Sequence, residues 1–562
     1  MSPTSITMTG YGVSPGLACA PLARMTPPAV TDPDEAPGAN PAHEVQRVRQ
    51  ALAEVAARLS TIAAGGTAGA ILEAGAAMAG DPALVQAAAH HIDRGVPTAH
   101  SLALAADSYG AQLEKAGGCM AERAADLRDI RNRAVALLLD VPMPGIPRPG
   151  HPFILAAEDL SPADTAQLAG GDVVGLLTEK GGPTGHTAIL ARTLGLPAVV
   201  GCSQAVALPD GTPVLLDGRA GTVEAHPSPQ RRQQALDAAR TRTHPRTKGP
   251  GRTADRHPVA LLANIGTPAD ASHAAQADNE GVGLFRTEFL FMDRREPPTL
   301  KEQTQTYSQV FASFEGRAVT VRTLDAGSDK PLPFLQLPRE DNPALGIRGL
   351  RTAALRPGIL ETQLEALVTA QCRTGAQMRV MAPMVATAEE AARFAGLARS
   401  HGVQSVGIMI EVPSAALSAD RLLQHVDFAS IGTNDLAQYT VAADRTSPAL
   451  GHLLDPWQPA LLTLVAMVCR AAEALGRPVG VCGEAAADPL LAPVLAGLGV
   501  SSLSMAAPAV ADVRDALAQL TLPQCRHLAA AVIDAPEQAA ARAVAQEMGE
   551  AFRAAVPDGE GP

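Results

Sequence analysis

The sequence has few aromatic residues, few lysines and no closely spaced cysteine pairs. Aromatic side chains make up 3% of the 562 residues, so any packed core depends on Ala, Leu, Val and Ile. Lysine occurs at five positions, so arginine supplies most of the positive charge. The seven cysteines form no Cys-x-x-Cys motif, which argues against a disulfide framework or a structural zinc site.

The sequence also shows no pattern typical of a signal peptide and no long apolar run. The N-terminus has no basic region followed by apolar residues, and no apolar stretch reaches the length of a membrane span. The net charge of −12 argues against a nucleic-acid coat or an anionic-membrane binder, since either needs a strongly basic surface. We therefore expect a soluble, cytoplasmic protein with no nucleic-acid partner and no direct membrane insertion.

The hydrophobic pattern changes along the chain and predicts several domains. Residues 43–140 show apolar residues at three- and four-residue spacing, which predicts a helical bundle. Residues 150–225 alternate short β-runs with short helices, and residues 5–23 are expected to join them, so that the bundle is an insertion. The predicted boundaries are 1–25 and 145–226 for the α/β domain, 40–144 for the bundle, 227–257 for a linker, 258–545 for a barrel and 546–562 for a tail.

The second half predicts a (β/α)8 barrel. Eight apolar runs alternate with amphipathic helices, which is the size and rhythm of this fold. In such barrels the active site lies at the C-terminal ends of the strands. The polar residues at the predicted ends are Arg286, Arg322 with Asp325, Glu411, Asn434 with Asp435, Arg445 just beyond, and Cys482 with Glu484.

These residue types together indicate a phosphorylated substrate. Alone, each has an ordinary structural reading: a salt bridge, a loop cap or a small buried side chain. Arginine forks suit a phosphate or a carboxylate. Two carboxylates from different strands suit Mg2+, which takes few protein ligands and keeps water or substrate oxygens. The set predicts an anionic, phosphorylated small substrate that chelates Mg2+.

A second signal is the segment GGPTGHTAILARTLGLPAVVG at residues 181–201. A glycine-rich turn leads into a helix that begins near His186, and a helix N-terminus favours a phosphate. His186 fits equally well as a nucleophile that accepts a phosphoryl group. An ordinary N-cap beside a surface histidine is the third reading.

These segments resemble a known family. The segment 181–201 resembles the phosphohistidine signature of enzyme I of the bacterial phosphotransferase system and of its dikinase and synthase relatives. GLFRTEFLFMDR, VRTLDAGSDKPLPF, NPALGIRGLR, IMIEVPSAA, SIGTNDLAQYTVAADR and VCGEAA resemble that family's phosphoenolpyruvate barrel. ERAADLRDIRNR resembles a helix that docks the carrier protein HPr. About 180 residues precede His186 and are predicted to form a helical bundle, so we do not expect the ATP-grasp domain of the dikinase and the synthase.

The resemblance implies a role for each residue. His186 is the expected phosphoryl acceptor, and Cys482 is expected to protonate the enolpyruvate carbon. Arg286, Arg322, Arg445, Asn434 and Asp435 are expected to bind phosphoenolpyruvate, and Glu411 and Asp435 to hold Mg2+. The resemblance further implies transfer from His186 to HPr, the first step of sugar uptake, by a homodimer formed through the barrel.

Two departures from the family pattern concern the acceptor and the carrier. Gly185 stands where the family commonly has Ser before the histidine. The stretch Leu72 to Ala77 stands where the family often has Phe-Glu-x-His and large apolar residues. Weaker binding of HPr, or a different carrier, is therefore expected. Two rival functions remain at this stage: a catalytically weak or inactive regulatory paralogue, and a Mg2+-dependent pyruvate-class lyase.

Overall fold

The computed structural model describes most of the chain. The described residues are 6–14, 16–63, 69–116, 119–147, 149–160, 164, 168, 171–182, 186–233, 247–292, 294–327, 332–338, 340–444 and 448–554. The backbone of His186 is described but its side chain is not, and Gly185 and Arg445 lie outside the described residues. The chain forms two units, Met1–His244 and Pro245–Pro562.

Within the described part of the first unit, eight strands form one sheet with the order β1-β8-β7-β3-β4-β5-β6-β2. They are β1 (Ile6–Thr9), β2 (Tyr11–Ser14), β3 (Leu17–Arg24), β4 (Phe153–Ala157), β5 (Val173–Thr178), β6 (Ala198–Val200), β7 (Pro213–Asp217) and β8 (Thr222–Ala225). The strand β3 pairs parallel with β4 and antiparallel with β7. The first three strands thus belong to the same sheet as the last five.

The helical bundle is inserted between β3 and β4, as predicted. Its helices are α1 (Pro41–Ala63), α2 (Gly69–Ala79), α3 (Pro82–Ile92), α4 (Thr98–Ala116) and α5 (Cys119–Leu138). Val48 and Leu52, four residues apart on α1, are buried against Leu102 of α4 and Ile130 of α5 in one core. The fold class predicted for this half of the chain is confirmed.

A buried ion triad joins the bundle to the α/β domain. Arg133 of α5 contacts Asp129, one turn earlier, with Nε and Oδ2 2.8 Å apart. Its Nη2 lies 2.8 Å from Oδ1 of Asp164, which belongs to the connection between β4 and β5. Burial raises the pKa of Asp129 despite the opposing effect of Arg133. The two parts of the first unit therefore share a charge pair as well as two chain crossings.

The second unit is a closed barrel of parallel strands, as predicted. The strands are β9 (Ala260–Ile265), β10 (Gly281–Arg286), β11 (Ala318–Arg322), β12 (Gln377–Ala382), β13 (Val406–Ile410), β14 (Phe428–Gly432), β15 (Val479–Cys482) and β16 (Ser502–Met505). Each strand pairs in parallel with the next, and β16 pairs with β9 to close the barrel. All eight C-terminal ends therefore lie at one mouth.

Helices surround the barrel and pack on it. After α6 (His186–Leu194) of the first unit, they are α7 (Pro268–Gln276), α8 (Leu300–Ser313), α9 (Thr352–Leu355), α10 (Pro357–Thr374), α11 (Ala388–Ser400), α12 (Pro413–Leu417), α13 (Ala419–Leu422), α14 (Thr433–Thr440), α15 (Pro459–Leu475), α16 (Ala492–Gly497), α17 (Val510–Leu517), α18 (Leu522–Ile533) and α19 (Gln538–Ala554). Several begin at capping boxes. In α11 the Thr387 side chain accepts the backbone N–H of Glu390, and the Glu390 carboxylate accepts the backbone N–H of Thr387.

Two predicted boundaries differ from the structure. The predicted tail from 546 is partly helix, because α19 continues to Ala554 and packs Met548 and Phe552 against the barrel core. The predicted linker also ends early. Thr247 binds Asp515, and Thr253 is buried beside the start of the barrel. The start of the predicted tail and the end of the predicted linker are polar enough to suggest irregular chain, but tertiary contacts with the barrel order them.

One segment of the described chain, Leu450–Leu475, is long and apolar enough to cross a membrane by length and composition alone. It contains α15, whose side chains Leu461, Val465 and Val468 are buried in the barrel core. A core helix passes the same test, so this finding is weak evidence for a membrane span.

Candidate active site

The helix that carries the predicted phosphoryl acceptor begins at His186. Ala188 and Ala191 are buried on its inner face in the α/β core. Gly181, in the turn before it, has a φ of 98°, a conformation that side chains other than glycine rarely adopt. Thr187 is buried and its hydroxyl donates to Asp159 at 3.4 Å. This contact ties the first turn of the helix to the chain after β4.

The described side chains predicted for the barrel site lie at its C-terminal mouth. Arg286 and Arg322 end β10 and β11, Glu411 follows β13, Asn434 and Asp435 open α14 after β14, and Cys482 ends β15. Arg286 is exposed, whereas Arg322, Glu411, Asp435 and Cys482 are buried. The predicted residues thus include an exposed arginine beside a buried, charged floor.

Arg322 is held by carboxylates on its own side of the barrel. Its Nη2 lies 3.1 Å from Oε1 of Glu288 and 3.2 Å from Oδ2 of Asp325. Its buried Nε has no hydrogen-bond partner among the described residues. Burial alone would lower the pKa of Arg322, but Glu288, Asp325, Glu411 and Asp435 raise it well above its ordinary value. The guanidinium therefore stays charged and keeps one donor for a ligand.

Arg348 is the central residue that sequence reasoning missed. Its side chain is fully buried, with Nε 3.0 Å from Oδ1 and Nη2 3.1 Å from Oδ2 of Asp325. Its Nη1 lies 3.0 Å from Oδ1 of Asp435. Arg348 thus bridges a carboxylate after β11 and one after β14. The segment NPALGIRGLR was recognised in the sequence, but Arg348 follows no strand end, so the barrel rule gave it no role.

Glu411 has one fixed and one unpaired carboxylate oxygen. Oε1 accepts the backbone N–H of Met384 at 2.6 Å, whereas Oε2 is buried without a hydrogen-bond partner among the described residues. Burial raises the pKa of Glu411 to about 7, and the charges of Asp435 and Asp325 add to the rise. A buried carboxylate oxygen without a donor is costly unless a cation or a proton meets it.

The carboxylates fit a Mg2+ ion. The unpaired Oε2 of Glu411 is aimed into a space that a side chain at Gly432 would fill, since a Cβ there would lie 2.9 Å from it. Asp435 opens the helix that starts next to Gly432 and couples electrostatically to Glu411. No group of three or more His, Cys, Asp or Glu side chains in the described ranges forms a metal cage. Two protein ligands with room for other oxygens suit Mg2+.

Asn434 is oriented by the chain after β15. Its Oδ1 accepts the backbone N–H of Glu484 at 3.1 Å. Gly483 has a φ of 106°, and a Cβ there would lie 2.8 Å from Asn434 Oδ1. Glycine is therefore required here both for its backbone conformation and for the approach of Asn434.

Cys482 lies in an apolar pocket inside the barrel with Leu284, Met381, Met409 and Phe428. Its sulfur accepts from the Ser430 hydroxyl at 3.5 Å and donates to the Ile431 carbonyl at 3.5 Å. Burial raises the pKa of the Cys482 thiol, against the lowering effects of Ser430, Arg322 and Arg286. The residue therefore carries a proton at neutral pH, as a proton donor must.

Comparisons with known proteins give the class. A family described as "PEP-utilising enzyme, PEP-binding domain" matches residues 241–522. The mobile domain of PEP-utilising enzymes matches residues 149–221, and their N-terminal domain matches residues 9–123. The barrel with its charged mouth and the helix of His186 thus lie in the matched domains of an enzyme class that uses phosphoenolpyruvate.

Curated relatives narrow the class. The chain is 49% identical over 547 residues to a phosphoenolpyruvate-protein phosphotransferase of Streptomyces coelicolor, covering 96% of this chain and 98% of that protein. It is 41% identical to one of Haloferax volcanii, over 84% of this chain and 85% of that one. A solution structure described as enzyme I is 27% identical over 42% of this chain and all of its own length, with a TM-score of 0.37. The chain belongs to the phosphoenolpyruvate-protein phosphotransferases, the enzyme I family, and is a transferase.

Proposed function

We propose that the protein transfers the phosphoryl group of phosphoenolpyruvate to His186 and from there to a histidine of the carrier protein HPr. The observation that carries this proposal is the barrel mouth, where arginines and carboxylates surround an unpaired oxygen of Glu411 beside the Cys482 thiol. The membership of the chain in the enzyme I family supports it. Nothing in the comparisons favours a lyase or an inactive paralogue.

The phosphoryl step relies on charge neutralisation. Arg286 and Arg322, with Arg445 from the sequence motif, would bind the phosphate and carboxylate of the substrate, and Asn434 would donate its amide. Glu411 and Asp435 would hold Mg2+, which supplies positive charge against the migrating phosphoryl group. A nitrogen of His186 would then attack phosphorus as the enolate oxygen leaves.

The second step consumes the enolate of pyruvate. The electron pair of its carbon–carbon double bond would take the proton from Cys482 Sγ, forming the methyl C–H bond and leaving a thiolate. The buried thiol, with its raised pKa, keeps that proton until the enolate forms. Pyruvate then leaves the barrel.

The direct test is incubation with labelled phosphoenolpyruvate and Mg2+. The wild-type protein should take label that is acid-labile and alkali-stable, and the folded His186→Ala variant should take none. Transfer is then tested by adding purified HPr. Label that persists in His186→Ala would place the acceptor elsewhere and overturn the proposal.

The acceptor must serve two sites. His186 and the barrel mouth belong to separate units of the chain. Because phosphoryl transfer needs the reacting atoms about 3–3.5 Å apart, and HPr must also reach His186, we propose that the α/β domain moves between the two. Energy transfer between dyes on the two units should change when phosphoenolpyruvate and Mg2+ are added. A constant distance throughout turnover would contradict the motion.

The carrier interface is proposed on the bundle. Helix α2 exposes Ala77, a small residue at a position where the family often has a large apolar one, and Leu72 lies outside the described side chains. We therefore propose that HPr binds this protein weakly. Ala77→Leu should lower the Kd for HPr in calorimetry, whereas an unchanged Kd would place the docking surface elsewhere.

We also propose a homodimer through the barrel, acting in the cytoplasm, where phosphoenolpyruvate is made. The barrel exposes the apolar side chains Phe289, Met292, Leu345 and Leu355, with Leu345 67% exposed. Sedimentation should give a dimer for the wild-type protein and a monomer for Leu345→Glu. A wild-type monomer at micromolar concentration would refute the dimer.

A further inference from the structure

Ser430 contacts the thiol of Cys482 from the neighbouring strand. Both residues lie inside the barrel, on β14 and β15, and both are buried, with 6% and 2% of their surface exposed. The Ser430 hydroxyl donates to Cys482 Sγ at 3.5 Å, and the thiol donates its single proton to the Ile431 carbonyl at 3.5 Å.

The contact matters at the moment when the proton leaves the sulfur. The thiolate that remains would lie among the apolar side chains of Leu284, Met381, Met409 and Phe428, where the charges of Arg322 and Arg286 also favour it. A charge in such surroundings is strongly disfavoured unless a donor meets it. The Ser430 hydroxyl already points at the sulfur and can keep that bond before and after proton transfer, so no rearrangement is needed.

We propose that Ser430 is a positioning residue for protonation of the enolate: its hydroxyl orients the Cys482 sulfur and stabilises the thiolate left behind. The proposal rests on the proposed function. The proton passes from Sγ to the methylene carbon of the enolate, the S–H bond breaks as the C–H bond forms, and the hydroxyl keeps its own proton.

Ser504 provides a matched control. It lies opposite Cys482 on the other neighbouring strand, β16, and is equally buried. Its hydroxyl oxygen, however, lies 2.5 Å from Asn264 Oδ1, to which it donates, and 3.3 Å from the Ala263 carbonyl oxygen. Removing this hydroxyl changes barrel packing to a similar extent without touching the thiol.

The test compares phosphorylation of His186 in Ser430→Ala, Ser504→Ala and the wild-type protein, all checked for equal melting temperatures. A lost hydrogen bond to a developing charge should lower kcat about tenfold in Ser430→Ala and leave the KM for phosphoenolpyruvate unchanged. Ser504→Ala should keep the wild-type kcat. If Ser430→Ala folds poorly, Ser430→Thr keeps the hydroxyl and should retain kcat.

A double-mutant cycle with Cys482→Ala separates positioning from packing. Cys482→Ala alone should slow phosphorylation by about two to four orders of magnitude. Adding Ser430→Ala to it should cause no further loss, because the hydroxyl then has no sulfur to act on. If the losses of kcat are additive, or if Ser430→Ala keeps the wild-type kcat, the role of Ser430 is overturned while the proposed function stands. A wild-type protein that takes no label from phosphoenolpyruvate would overturn the proposed function and this proposal with it.

Discussion

Replacing Arg348 by alanine should destabilise the barrel strongly. The guanidinium is fully buried and contacts Asp325 through two nitrogens at 3.0 and 3.1 Å, and Asp435 through the third at 3.0 Å. After the substitution, both carboxylates remain buried beside Glu411. Arg322 still lies 3.2 Å from Asp325, so that carboxylate keeps part of its compensation. Asp435 loses its ion pair with Arg348.

Removing one partner of a buried ion pair typically costs about 3–5 kcal/mol. We expect a value in this range for Arg348→Ala, because Asp325 keeps its contact with Arg322 at 3.2 Å whereas Asp435 loses its contact with Arg348 at 3.0 Å. That corresponds to a fall of roughly two to four orders of magnitude in the folding constant of the barrel.

The assay is urea unfolding at pH 7, followed by the fluorescence of Trp457, which is buried in the barrel just before helix α15. The control is Arg351→Ala, three residues away, whose ion pair with Glu390 at 3.5 Å is part-exposed and should contribute less than about 1 kcal/mol. If Arg348→Ala and Arg351→Ala lose the same small amount, the buried bridge does not stabilise the barrel. Added Mg2+ should stabilise Arg348→Ala more than it stabilises the wild-type protein.

Three further predictions concern other charges and a glycine. Without Mg2+, the free energy of unfolding of the wild-type protein should fall by about 3 kcal/mol as pH rises from 4.5 to about 7, because native Glu411 still holds a proton that the unfolded carboxyl has lost. Urea midpoints measured across this range should fall with pH in the wild-type protein, and this pH dependence should be lost in Glu411→Gln. Gly483→Ala should destabilise the barrel by about 1–3 kcal/mol and raise the KM for phosphoenolpyruvate, because the new methyl group displaces Asn434. The control is Gly476→Ala, where φ is also positive, at 63°, but the added methyl group meets no neighbour; it should cost about 1 kcal/mol and leave KM unchanged. Arg133→Met should lower the thermal midpoint of the first unit, because Asp129 and Asp164 lose their ion pairs with Arg133 at a cost of about 3–5 kcal/mol; an unchanged midpoint would show that the triad is not stabilising.

The sequence predicted the strand ends well because the barrel has a strong rhythm. Runs such as AVTVR and VGIMI are buried on both faces, so they read as continuous apolar segments, and the residue after each run lies at the mouth. Glu411 and Asp435 could therefore be located before any coordinates. Their unequal environments, with Oε2 of Glu411 unpaired and Asp435 bound to Arg348, depend on tertiary contacts that no spacing encodes.

The residues that were missed share a physical reason. Arg348 and its partner Asp435 are 87 positions apart, and the arginine lies in an irregular segment between β11 and α10. Ser430 lies in the middle of a buried strand, where a small polar residue reads as core filling. In each case the function follows from which atoms meet inside the barrel, and the periodicity of the sequence gives only the strand, not the neighbour.

The charge balance of the mouth explains why a cation belongs there before the substrate. Arg322 and Arg348 face four carboxylates, those of Glu288, Asp325, Glu411 and Asp435, so the buried floor is short of two positive charges when all are ionised. Burial raises the pKa of Glu411 to about 7, and the neighbouring charges of Asp435 and Asp325 add to the rise. The proposed Mg2+ would supply the missing two charges and so keep Glu411 ionised at neutral pH. An anionic substrate would otherwise meet a floor of net negative charge, and the exposed Arg286 alone would not offset it.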